Sequence, residues 1–117
     1  MSLYLEMFKR WNLSNVAFES VSGTTVSHSS YESVHVDVLN TVAWLRACGL
    51  ERGDVLCVQL SKSRRLLNLL LAGLAMGVPV LPLNDRYTSS EVSYYVKDVR
   101  AKLSIVLVEP TDWDGMV

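Results

Sequence analysis

The spacing of apolar residues changes along this chain, and the changes mark out its elements. In LYLEMFKRW (3–11), Leu3, Met7 and Phe8 fall at helical intervals with Tyr4 and Trp11 on a nearby face, which predicts a short amphipathic helix. AFESV and TVSH then read as two short strands around Ser22-Gly23-Thr24, a β-hairpin pattern. Ser29-Ser30-Tyr31-Glu32 fits a capping box with Ser29 as N-cap and Glu32 as its partner three residues on. Val34, Val38, Val42 and Leu45 continue at helical spacing until Gly49, so a helix with Glu32, His35 and Arg46 facing outward is predicted.

The second half alternates more regularly. VLCVQL (55–60) is a short apolar strand, and Ser63 is placed to cap a helix over 64–76. That helix, RRLLNLLLAGLAM, is apolar nearly all the way round, which predicts burial on more than one side. Gly77 ends it, VPVLPL gives a buried strand limited by Pro82, and NDRY makes a turn. Thr88-Ser89-Ser90-Glu91 is a second capping box, followed by Val92, Tyr95, Val96 and Val99 at helical spacing. KLSIVLVE (102–109) is the last strand, stopped by Pro110, and the end of the chain, 109–117 with TDWDGMV as its last seven residues, reads as an irregular tail. Strand, helix, strand, helix, strand with short links predicts an α/β fold: a parallel βαβαβ unit over about 55–108 with right-handed crossovers. A short helix, a β-hairpin and an amphipathic helix precede it, and residues 1–117 read as one partial domain.

Composition narrows the partners. The 117 residues are 50% hydrophobic, enough to bury a core, and carry 11 basic and 12 acidic side chains for a net charge of -1. That balance gives no electrostatic reason to expect nucleic acid or an anionic membrane. Leu66–Leu83 is an uncharged run of membrane-spanning length, but Asn68, two glycines and two prolines interrupt it, so two buried elements joined at Gly77 are expected and no membrane span. The start lacks the apolar core and cleavage site of a signal peptide, which makes the cytoplasm the expected compartment. Cys48 and Cys57, in apolar surroundings, read as two buried reduced thiols.

Catalytic chemistry is sparse. SGTT (22–25) lacks the several glycines and the Lys of a phosphate cradle and reads as a hairpin turn. Arg64 and Arg65 open a helix and read as a solvated pair rather than an anion site. Asp54, Asp85, Glu91, Glu32 and Glu51 fall at turns or helix starts, where turn formation and capping account for them. No G-x-S-x-G elbow occurs, and the link SKSRR after the first strand of the βαβαβ unit has no glycine for a dinucleotide site. No catalytic, cofactor-binding or metal-ligating residue is assigned.

The order of phrases says more than any one of them. SSYESVHVDVLNTVAWLRACGLERGDVLCVQL and LLNLLLAGLAMGVPVLPLNDRYTSSEVSYYVKDVRAKLSIV resemble the N-terminal part of the adenylate-forming superfamily, the AMP-dependent acyl-CoA synthetases and ligases. The resemblance rests on Tyr31, Glu32, Leu45, Gly49, Gly53, Asp54, Leu71, Ala72, Gly77, Pro82, Leu83, Asn84, Tyr87, Thr88, Glu91, Tyr94, Asp98 and Lys102, in the family's order and with its gaps, over roughly residues 11–108. Val55 stands where the family has Arg after Gly-Asp. The resemblance implies an incomplete N-terminal subdomain of such an enzyme. The parent reaction uses ATP, Mg2+ and CoA or another thiol, and none of these is expected to be bound by this chain. The family's phosphate-gripping loop ending in P-K-G, its ribose-binding Asp and its catalytic Lys lie downstream of this region. The chain is therefore expected to be inactive alone, with the remainder of the ligase, or a copy of itself through exposed apolar surface, as partner. A non-catalytic interaction module on the same scaffold and an unrelated α/β nucleotide-binding domain are the alternatives.

Overall fold

Three short parallel strands and the helices between them form the centre of the computed structural model, which describes residues 2–105. In chain order the elements are α1 (Ser2–Phe8), β1 (Val16–Ser22), β2 (Thr25–Ser30), α2 (Tyr31–Ala47), β3 (Leu56–Val58), α3 (Arg64–Met76), β4 (Val80–Pro82), α4 (Ser89–Asp98) and β5 (Leu103–Ile105). The parallel sheet has the order β4-β3-β5, so the chain steps to one side of β3 through α3 and then crosses to the other side through α4. With right-handed crossovers, the two helices lie on opposite faces. The core is divided accordingly. Leu56, Val58 and Ile105 pack with Leu69, Ala72 and Val78 and with Val34, Val38 and Leu45 of α2. Cys57 points the other way, toward Leu83, Val92, Tyr95 and Val96. This is the βαβαβ unit expected from the alternation; residues 106–117, which include the end of the expected last strand and the irregular tail, lie outside the described residues.

Helices α2, α3 and α4 end in the same device. Leu50 N–H reaches the Leu45 carbonyl, Val78 N–H the Gly73 carbonyl and Ala101 N–H the Val96 carbonyl, each spanning five residues as in a Schellman motif. The motif needs a left-handed residue just before that amide. Gly49 (φ 93°) and Gly77 (φ 71°) supply it for α2 and α3, whereas α4 uses Arg100 at φ 54°. Leu50 and Val78 then turn into the core, where both are buried. Gly73 answers a different need: a Cβ there would lie 2.8 Å from the Val78 carbonyl oxygen and closer still to the Val80 side chain, so α3 sits on the following strand only because the position is bare.

Several local expectations are corrected. The N-cap of α2 is Ser30, whose hydroxyl accepts from Ser33 N–H at 3.1 Å, so the Ser29–Glu32 capping box does not form. Strand β2 runs through Ser29 and Ser30, and its pairing with β1 delays the helix by one residue. In α1 the buried residue is Tyr4, 1% exposed, while Leu3 stays out; Tyr4 docks among Phe8, Trp11 and His35. His35 is correspondingly not solvated, since it stacks on Phe8 at 4.0 Å between ring centroids and shares a 2.8 Å hydrogen bond with the Tyr4 hydroxyl. Cys57 is buried as expected, but Cys48, beyond the last turn of α2, is exposed. Strand β4 is half-buried rather than fully buried, with Pro82 exposed at the sheet edge.

Candidate functional site

Open parallel α/β sheets bind ligands at the carboxyl ends of their strands, so that rim is the place to look. Here it consists of Gln59 to Ser63 after β3 and Leu83 to Thr88 after β4. Between these loops lies a cleft of about 600 Å³, lined by Leu60, Ser61, Lys62, Leu66, Pro82, Leu83, Asn84 and Asp85. Its floor is apolar, and Lys62 and Asp85 bring opposite charges to its edges.

The rim is held by a residue the sequence reading did not single out. Gln59 is the one buried polar side chain among the described residues, 7% exposed, at the end of the central strand. Its amide nitrogen donates to the carbonyl oxygens of Asn84 (3.2 Å) and Tyr87 (2.9 Å), while its own backbone N–H donates to the Ile105 carbonyl at 2.7 Å. One residue thus fixes the loop after β4 and the end of β5. The signal was a lone polar letter in VLCVQL.

The other polar groups of the loop serve its shape. The Asn84 side-chain oxygen accepts from Arg86 N–H at 2.9 Å, closing an Asx turn. Thr88 and Glu91 form the expected capping box of α4, each side chain bonded to the other's backbone amide. Tyr87 stacks on Tyr95 at 5.3 Å, and the neighbouring Tyr95 hydroxyl, then desolvation and last the Glu91 charge raise its pKa above the ordinary tyrosine value.

The remaining motif residues are scattered over other parts of the molecule. Gly53 and Asp54 lie at the opposite end of the sheet. Asp54 Oδ2 accepts from Glu51 N–H at 2.8 Å and faces Lys102 Nζ at 3.4 Å. The Glu51 amide, followed by Lys102, holds the Asp54 carboxyl below its usual pKa. Two residues of the resemblance separated by 48 positions therefore meet as an ion pair that joins the starts of β3 and β5. Arg64, expected in solvent, instead reaches α2: it donates to Asp37 Oδ2 at 2.7 Å and lies over the Phe18 ring. SGTT forms the tip of the hairpin as expected, with Gly23 at φ 60°.

Comparison with known proteins supplies what the geometry leaves open. A family model described as AMP-binding enzyme matches residues 9–115. The chain belongs to the AMP-binding enzyme family. Its fold agrees with that of adenylate-forming proteins: MatB from Rhodopseudomonas palustris, solved without ligand and with ATP bound, is 30% identical over 97% of this chain with a TM-score of 0.82. The acyl-CoA synthetase of Brucella canis (19% identity, 84% of the chain, TM-score 0.77) and the N-terminal subdomain of Klebsiella oxytoca NpsA in complex with anthranilyl-AMSN (18%, 90%, 0.78) share the fold. The chain spans 22% of the MatB chain, 18% of the Brucella protein and 26% of the NpsA subdomain. No curated protein sequence matches it.

Among the described residues no buried side-chain polar atom lacks a hydrogen-bond partner. No group of three or more His, Cys, Asp or Glu side chains among them is arranged to hold a cation such as Mg2+. The rim thus has an apolar floor, a loop held by Gln59, and the exposed side chains of Ser61, Lys62 and Asp85 around it.

Proposed function

We propose that this chain is the N-terminal platform of an AMP-forming acid–thiol ligase of the acyl-CoA synthetase type. The observation that carries this reading is that the family match and the fold agree over nearly the whole chain. The family match covers residues 9–115, and the fold superposes on MatB over 97% of the chain. In the reaction so assigned, a carboxylate oxygen attacks the α-phosphorus of ATP and pyrophosphate leaves. A thiol such as that of CoA then attacks the acyl carbon of the adenylate and AMP leaves.

The residues of this chain that carry the resemblance act as structure in this reading. Asp54–Lys102 and Thr88–Glu91 are paired with each other, and Gly49 and Gly77 satisfy left-handed turns. The groups that bind ATP, Mg2+ and CoA belong to other segments of the enzyme, and the chain alone is inactive. The enzyme works in the cytoplasm in this reading, which two unpaired cysteines support. No helix among the described residues is long and apolar enough to cross a membrane.

The test is pyrophosphate release. The 117-residue chain incubated with ATP, Mg2+, CoA and a panel of carboxylic acids is expected to release none above the rate without enzyme. Acid-dependent release would show that the chain holds its own catalytic groups and would overturn the reading.

A further inference from the structure

Helix α2 carries apolar residues on two faces. Val34, Val38, Val42 and Leu45 are buried, whereas Val36 and Leu39 are 50% and 47% exposed. At 3.6 residues per turn, Glu32, Val36, Leu39, Ala43 and Arg46 fall within about 80° of one another, centred about 120° from the buried face. All five are exposed. The sequence pattern predicts Glu32, His35 and Arg46 on the outer face; the structure keeps Glu32 and Arg46 there, one at each end, with an apolar centre between them.

The order along this stripe matters. Glu32 and Arg46 stand equally far from Leu39, on either side, with Val36 and Ala43 between. A two-fold axis passing by Leu39 therefore sets Glu32 against Arg46 of a second copy, at both ends, and lays Val36 beside Ala43. Neither charge is in an ion pair among the described residues. A parallel pairing would instead oppose Glu32 to Glu32 and Arg46 to Arg46, which like-charge repulsion disfavours.

From this self-complementary arrangement we infer that the outer stripe of α2 is a self-association surface whose occupant is a second copy of this chain, packed as an antiparallel, two-fold helix pair. The inference stands apart from the ligase reading, because it uses only the pattern on one helix. The seam spans roughly 21 Å between Glu32 and Arg46. One helix face buries less than a standard interface, so the dimer is weak and exchanges with monomer.

Sedimentation velocity of the full 117-residue chain, from roughly 10 µM to 1 mM, reads the equilibrium in the range expected of a small interface. The sedimentation coefficient should rise with concentration toward that of a dimer. Glu32→Arg and Arg46→Glu should each weaken association by on the order of tenfold, since each reversal acts at both ends of the pair. The double variant should recover it, because the attraction is restored with its sign exchanged. Leu39→Lys, at a position 47% exposed in the monomer, should leave monomer throughout. Circular dichroism verifies that each variant keeps its helix content, and Leu39→Lys decides the matter if the charge-reversed chains do not fold. A chain that stays monomeric at every concentration, a dimer indifferent to Leu39→Lys, or folded single reversals that associate as strongly as the parent would each overturn the inference. So would a folded double variant that fails to recover.

Discussion

Arg100 is the residue where backbone and side chain are most at odds. Its φ of 54° places an L side chain in the left-handed region at the end of α4, where α2 and α3 have glycine. Left-handed geometry costs a non-glycine residue about 1–2 kcal/mol, part of which glycine would return as unfolded-state entropy. Arg100→Gly should raise the melting temperature by a few degrees, read by thermal unfolding. An unchanged or lower value would mean that the Arg side chain stabilises the turn in some other way. Gly73 is the converse. Alanine is the better helix former by about 1 kcal/mol, but its Cβ would press on the Val78 carbonyl and the Val80 side chain. Overpacking of this kind costs about 1–3 kcal/mol, and Val78 is tied in place by its N–H bond to the Gly73 carbonyl, so Gly73→Ala is expected to lower stability in urea unfolding.

Asp54 adds a pH dependence at the same scale. Its carboxylate form is favoured in the fold by the Glu51 amide and by Lys102, so its native pKa lies below the ordinary value near 4. The stabilisation is fully present above that ordinary value and is lost as the pH falls through the lowered one. Asp54→Asn should therefore be less stable than the parent at neutral pH, and the difference should shrink in acid. Thermal unfolding of both chains at a series of pH values measures it; a difference that grows toward low pH would contradict the assigned bonds.

At the scale of elements, the capped boundaries were legible and the long-range ties were not. Ser63 and Thr88 were identifiable as caps because their partners, Leu66 N–H and Glu91 N–H, are three residues away in sequence. Gly49 and Gly77 announced the helix ends for the same local reason. Arg64 was misread because its partner Asp37 is 27 residues away and on another helix, beyond any spacing rule. His35 was misread likewise: its neighbour Tyr4 is 31 residues distant, and α1 is too short for its buried face to be fixed by period alone. The Arg64–Asp37 contact bridges α2 and α3 at partly exposed side chains, so its worth is modest. Arg64→Ala should cost about 1 kcal/mol, counting the bond and the packing over Phe18, with a smaller loss for Asp37→Asn. Urea unfolding of the two variants and their double checks whether the losses are coupled.

For the molecule as a whole, the alternation of period was enough to give parallel strands and crossovers, since β3, α3, β4, α4 and β5 follow one another with short links. The rim at the strand ends was only partly legible. Its turn and cap residues stood out, while Gln59, which holds the loops together, was hidden among apolar neighbours. Several residues that mark the family prove to be bonded to one another or set into turns, as Asp54–Lys102, Thr88–Glu91, Gly49 and Gly77 are, so part of the family's signature is accounted for by structure. That claim is tested most directly by exchange. A chimera of Rhodopseudomonas palustris MatB in which residues 9–115 of this chain replace the matching N-terminal segment should keep ATP–pyrophosphate exchange with MatB's own acid. The rate is expected to stay within about tenfold of the parent's, equivalent to about 1.4 kcal/mol in the barrier. A chimera that folds and binds ATP yet exchanges no pyrophosphate would show that the segment contributes to the chemistry itself, and would contradict the account.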